Sequence, residues 1–172
     1  MPYTTFTGHP LHPQMIVAPA GLLPFSLVLD LLYLQSGNRS YADAAYYAMV
    51  GGWVGGVAAG AAGAADYSAI PADDPVKSIG RFHGLLNVSL LGLTGLNLLL
   101  RRGRRRSPRG LPLLLSLIGN AGLFVSAWYG GHLVYEHGLR VKAAGGSRPV
   151  QEIKPPRDEK AEAALLSLHD LP

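Results

Sequence analysis

The sequence predicts an all-α fold, a four-transmembrane-helix bundle (residues 1–142) followed by a polar, largely unstructured C-terminal tail (residues 143–172). Three observations carry this. Charged residues make up 15% of the 172 and hydrophobic ones 48%, against about 25% charged in ordinary soluble domains. Four stretches stay uncharged or nearly so over the roughly 20 residues that a bilayer core about 30 Å thick demands at 1.5 Å rise per residue. The charges that do occur collect between those stretches and toward the end, where residues 140–172 hold six of the 15 Lys+Arg and five of the 11 Asp+Glu. Abundant apolar side chains with a net charge of only +4 exclude a disordered chain. The absence of cysteine excludes disulfides, thiolate metal sites and a cysteine nucleophile.

The first span is expected from about Met15 to Leu34, interrupted by Pro19 and Pro24 and carrying one acid, Asp30. The segment before it, MPYTTFTGHPLHPQ, has no basic leader, so a secretory signal is not expected. Pro10 and Pro13 in GHPLHP predict an extended entry. The second span, about Ala44 to Ala65, is free of charge and contains GGWVGGVAAGAAGAA. Its spacings Gly51/Gly55, Gly52/Gly56 and Gly56/Gly60 let helices approach closely in lipid. Packing within the chain is the preferred reading of this face, and a homodimer or a larger membrane complex the alternative. The third span runs from about Phe82 to Leu100 and the fourth from about Leu111 to Tyr135. A buried soluble bundle would need polar residues recurring every three or four positions, and the second and fourth spans have no such face. In the tail, EKAEAALLSL after Pro155 and Pro156 reads as a short helix over about 157–168.

Orientation follows from basic residues, which resist translocation. The connection between spans three and four, RRGRRRSPRG, has six Arg, and Arg39 lies in the connection between spans one and two. Both connections fall on one side, which places both termini outside the cytoplasm. The Arg run is a topology determinant that touches anionic headgroups. With no aromatic interleaving, it is a poor nucleic-acid site.

Four crossings also decide where the histidines go. His9 and His12 precede span one, His83 opens span three, and His132 and His137 close span four. All five fall at one membrane face whichever way the chain is inserted, and Asp66 at the end of span two joins them. Imidazole is the commonest side-chain metal ligand, and two histidines on facing helices can supply both axial ligands of a b-type haem. His83 and His132 are the favoured pair, with His12 as a substitute for either. Gly84, Gly130 and Gly131 would let a flat macrocycle approach, and Asn87 shares the face of His83 one turn on. The competing readings are interfacial imidazoles at His9 and His12, and interhelical hydrogen bonds at His83 and His132. His137, five residues after His132, joins the same site only if the helix ends between them. Asp30 lies about 27 Å from His12 along a helix, toward the other face, with Asn97, Arg101 or Arg102 as its expected partner.

The segments GHPLHPQMIVAPAGLLPFSLVLD, AGAAGAADYSAIP, RFHGLLN and YGGHLVYEHGLRV together resemble the domain of unknown function 2231 family, a group of bacterial predicted multi-pass membrane proteins. The likeness covers about residues 6–142. It implies a four-helix integral membrane protein whose motifs are HPLHP, Asp66-Tyr67, His83-Gly84 with Asn87, and Gly131 through Gly138. Relatives joined to Rieske-type or cytochrome c-like domains imply a redox setting, and this chain, lacking cysteine, carries neither attachment.

No phosphate loop, nucleophile elbow or other catalytic motif is present. The first expectation is therefore a haem b electron carrier exchanging electrons with a quinone or another redox partner. A permease for a small solute or ion, suggested by Asp30, Asp66, Asn87, Asn97 and Asn120, and a non-catalytic subunit of a larger complex remain as alternatives.

Overall fold

The computed structural model describes residues 5–6, 9–103 and 106–139. A two-residue antiparallel pair, β1 (Thr5–Phe6) with β2 (His9–Pro10), leads into α1 (Leu11–Met15), α2 (Val17–Ser36), α3 (Arg39–Ser68), α4 (Val76–Leu100) and α5 (Leu111–Tyr135). The helices stack in sequence order, α2 on α3, α3 on α4 and α4 on α5, with a lighter contact between α5 and α2. Four of the helical stretches, counting α1 and α2 as one, are long and apolar enough to cross a membrane. The expected tail helix at 157–168 lies outside the described residues.

Local chemistry sets the boundaries. The extended entry ends at Pro10, and Pro13 is accommodated in the first turn of α1, where a missing N–H costs nothing. Pro19 cannot donate back to Met15, which separates α1 from α2 at Ile16, although Ile16 N still bonds His12 O at 3.1 Å. Pro24 lies inside α2 without ending it. Gly37 takes the left-handed conformation at φ 70° that closes α2, and its N–H bonds Tyr33 O. Asn38 caps α3 by accepting from Ser40 N at 3.0 Å, so α3 starts five residues before the expected apolar span. Likewise α4 starts at Val76, whose N–H bonds Asp74 Oδ1 at 2.9 Å. Lys77 donates to the carbonyls of Tyr67 and Ile70, holding the end of α3 to the start of α4.

Burial is inverted relative to a water-soluble bundle. Val17, Phe25, Val88, Leu99, Phe124 and Trp128 point outward, whereas Ser26, Asp30, Asn97, Arg101, Ser116 and Asn120 are buried. Large apolar faces of this kind are unusual on a soluble monomer and fit hydrocarbon contact. The glycine face of α3 packs within the chain. An added Cβ at Gly52 would lie 2.7 Å from Leu23 Cδ2, one at Gly55 2.7 Å from Ala18 Cβ, and one at Gly56 2.8 Å from Leu91 Cδ2. Gly60 also faces Leu91, at 3.8 Å. Alanines complete this face, Ala45 and Ala59 among them, and close packing of small residues is what holds helices together when hydrophobic burial offers no advantage.

Away from the histidines, the bundle is tied by a buried ion pair. Arg101 donates to both carboxylate oxygens of Asp30, at 2.8 and 2.6 Å, with both side chains fully buried. Of the three partners the sequence offered for Asp30, Arg101 takes the role. Asn97, one turn earlier, donates to Pro112 O at 3.0 Å and Ser116 Oγ at 2.8 Å, binding α4 to α5.

Candidate functional site

The alternating course of the helices brings the start of α1, the end of α3, the start of α4 and the end of α5 to one end of the bundle. There His12 and His83 face each other, with ring centroids 6.4 Å apart and planes at 86°. Each ring is seated on a glycine. A Cβ at Gly63 would stand 3.0 Å from His12 Nδ1, and one at Gly130 3.2 Å from His83 Cε1. The space that the sequence assigned to a macrocycle over Gly130 is thus filled by the His83 ring, whereas Gly84 has nothing within 4 Å of its missing side chain.

Hydrogen bonds fix both imidazoles. His12 Nδ1 lies 2.7 Å from Ala59 O. Because a carbonyl only accepts, Nδ1 must carry the proton, which leaves Nε2 of the neutral ring with its lone pair. His83 Nδ1 lies 3.3 Å from Ser126 Oγ. Asn87 donates to Ser126 Oγ at 2.7 Å and to His83 O at 2.8 Å, and its Nδ2 passes 3.3 Å from His83 Nε2. Both imidazoles are half-buried.

The remaining histidines group differently. The His132 ring stacks on Trp128 at 5.4 Å with planes 7° apart, and its edge meets His137 at 5.0 Å. α5 ends at Tyr135, between the two histidines, so His137 is not held to the helical angle that would turn it away from His132. His83 therefore faces His12 rather than His132. His9 is exposed in β2. Asp66 lies buried at the end of α3, one turn beyond the Gly63 that supports His12. Asp30 stands with the arginines at the opposite end, and Gly56 and Gly60 serve the α3–α4 contact.

Sequence reasoning missed Ser126, the Ala59 carbonyl, Gly63 and Trp128. Trp128 precedes His132 by four residues, a spacing that places the two on one helix face. No periodicity marks a backbone carbonyl as a partner, and Gly63 looked like one more member of a glycine-rich run. Among the described residues, no group of three or more His, Asp or Glu is placed to hold a metal ion.

Comparison with known proteins bears on the whole chain. No curated protein and no solved structure matches it. Residues 8–143 match the family described as Predicted membrane protein (DUF2231), and with that match spanning most of its length the chain belongs to this family of membrane proteins.

Proposed function

We propose that the protein is a membrane electron carrier in which His12 and His83 hold haem b at the histidine end of the bundle. The opposition of the two rings at 6.4 Å carries this reading. The two imidazoles come from different helices, α1 and α4, and are near enough that both could hold one iron between them. A free zinc ion would want four protein or water ligands, and the described residues offer no cluster of three. Haem b would need no more than the two histidines, His12 and His83, to hold it.

The donor chemistry supports the same choice. A ligating histidine usually commits its other ring nitrogen to a carbonyl, carboxylate or water, as His12 does with Ala59 O, and His83 Nδ1 has Ser126 Oγ beside it. Asn87 Nδ2, 3.3 Å from His83 Nε2, would have to give up that contact. When bound, haem would supply one-electron transfer, within reach of a quinone or a protein partner at that face. Basic residues mark the arginine end as cytoplasmic, so the histidine end and both termini face outward from a bacterial inner membrane.

The permease alternative draws less support. Its polar residues fall into two groups, Asn87–Ser126 and Asn97–Ser116–Asn120. Between them Leu90 is pressed onto Gly122, where a Cβ would come within 2.5 Å of Leu90 Cδ2. That block favours static packing over passage.

The test is the absorption spectrum of full-length protein purified in detergent from haem-replete cells. A Soret band that shifts on dithionite reduction is expected, lost in His12→Ala and His83→Ala and kept in His132→Ala. A colourless wild type would overturn the proposal.

A further inference from the structure

The end of the bundle opposite the histidines holds an open cleft of about 450 Å³ between the end of α2, the start of α3 and the chain entering α5, lined by Tyr33, Arg39, Ala42, Asp43, Gly103, Arg106 and Ser107. Its charge is unbalanced. Arg39 and Arg106 line it, and Arg109 lies 5.3 Å above the Tyr33 ring while donating to the Tyr33 hydroxyl at 3.1 Å. Asp43 is the one acid among the described residues that line it, and it is already engaged by Arg106 at 2.9 Å. Arg101 takes no share, being neutralised by Asp30 inside the bundle. Among the described residues, Arg39 and Arg106 in the lining and Arg109 beside Tyr33 outnumber the one carboxylate.

Arg106 is held in place for this. Its guanidinium stacks 4.9 Å from the Tyr46 ring and 4.7 Å from the Tyr47 ring, and it donates to the Tyr47 hydroxyl at 3.2 Å. Its Nε has no acceptor among the described residues. Arg39 is exposed and has no side-chain partner among the described residues. The start of α3 adds the positive end of a 30-residue helix dipole. Tyr33 and Arg39 stand at the ends of two membrane-length helices, the depth of headgroups rather than of acyl chains, where tyrosine is enriched.

We propose that this cleft binds one phosphate group, that of an anionic lipid headgroup. Arg39 and Arg106 grip the phosphate oxygens, the fork geometry of guanidinium being suited to them. Tyr33 lines the cleft, while Tyr46, Tyr47 and Asp43 set the angle of Arg106. The site is independent of the histidine centre and stands whether or not haem binds there.

The test is native mass spectrometry of the full chain in a nonionic detergent, with phosphatidylglycerol or phosphatidylcholine added and inorganic phosphate as competitor. One retained phosphatidylglycerol per chain is expected, insensitive to inorganic phosphate. Arg39→Gln and Arg106→Gln should each weaken retention about tenfold, the loss of one charge-assisted hydrogen bond. Arg102→Gln, at an exposed arginine outside the cleft, should leave it unchanged. Displacement of the lipid by inorganic phosphate, with a raised melting temperature, would overturn the lipid assignment in favour of a free phosphate. Equal retention of phosphatidylcholine, or an equal loss in Arg102→Gln, would overturn the site.

Discussion

The buried Asp30–Arg101 pair offers a sharp energetic test of the fold. Asp30→Leu would leave the Arg101 guanidinium inside the bundle with the Arg106 carbonyl as its remaining acceptor, at 3.3 Å from Nε and 3.1 Å from Nη2. Arg101→Met would leave the carboxylate without a cation beside it among the described residues. Both side chains are fully buried, so solvent screening gives no relief and each single substitution should cost about 3–5 kcal/mol. The double variant Asp30→Leu/Arg101→Met removes both charges together. It forfeits chiefly the bonds to the Arg106 carbonyl, about 1–2 kcal/mol in all. The sum of the singles should therefore exceed the double by several kcal/mol, measured by titrating SDS into mixed micelles and following helix content by circular dichroism. Single substitutions within about 1 kcal/mol of wild type, or a double equal to the sum of the singles, would refute the pairing as the tie between α2 and α4.

Glycine substitutions should separate by contact distance. Gly52→Ala, whose Cβ meets Leu23 at 2.7 Å, should destabilise by about 1–3 kcal/mol in the same assay. Gly60→Ala, at 3.8 Å from Leu91, should be neutral or stabilising by up to about 1 kcal/mol because alanine favours the helix. Asn87→Leu, which loses the interhelical bond to Ser126, should cost about 0.6 kcal/mol, the usual size of such a bond in a membrane; a loss several times larger would refute the reading of Asn87 as an ordinary interhelical tie. The chain has no cysteine, so single cysteines report orientation directly. In intact spheroplasts, a membrane-impermeant maleimide should label Asp73→Cys and spare Arg102→Cys, and the opposite pattern would reverse the proposed orientation.

The spans and the gathering of histidines were legible because both follow from one-dimensional quantities, apolar length and the parity of crossings. Asp30 was legible too, since its distance along the helix placed it among the arginines. Rotation about each helix axis was not. His83 and His132 share a depth, but only packing decides that His83 turns to His12 over Gly63 and Gly130 while His132 lies back on Trp128. The helix starts at Arg39 and Val76 were missed because apolar length says nothing of the caps at Asn38 and Asp74. The arginine cleft went unread for a related reason. Tyr33, Asp43, Tyr46 and Tyr47 come from segments far in sequence from Arg106, and the arginine run reads as a sorting signal until tyrosines are seen beneath it.

The central claim is that His12 and His83 together form an axial pair. The most direct measurement is a haemin titration of the purified, detergent-solubilised chain, read by electron paramagnetic resonance. Saturation at one haem per chain with a low-spin ferric signal is expected in wild type and in His132→Ala. His12→Ala and His83→Ala should each fail to give the low-spin signal. The same low-spin spectrum in the His12→Ala/His83→Ala double variant, or no stoichiometric binding in wild type, would contradict it.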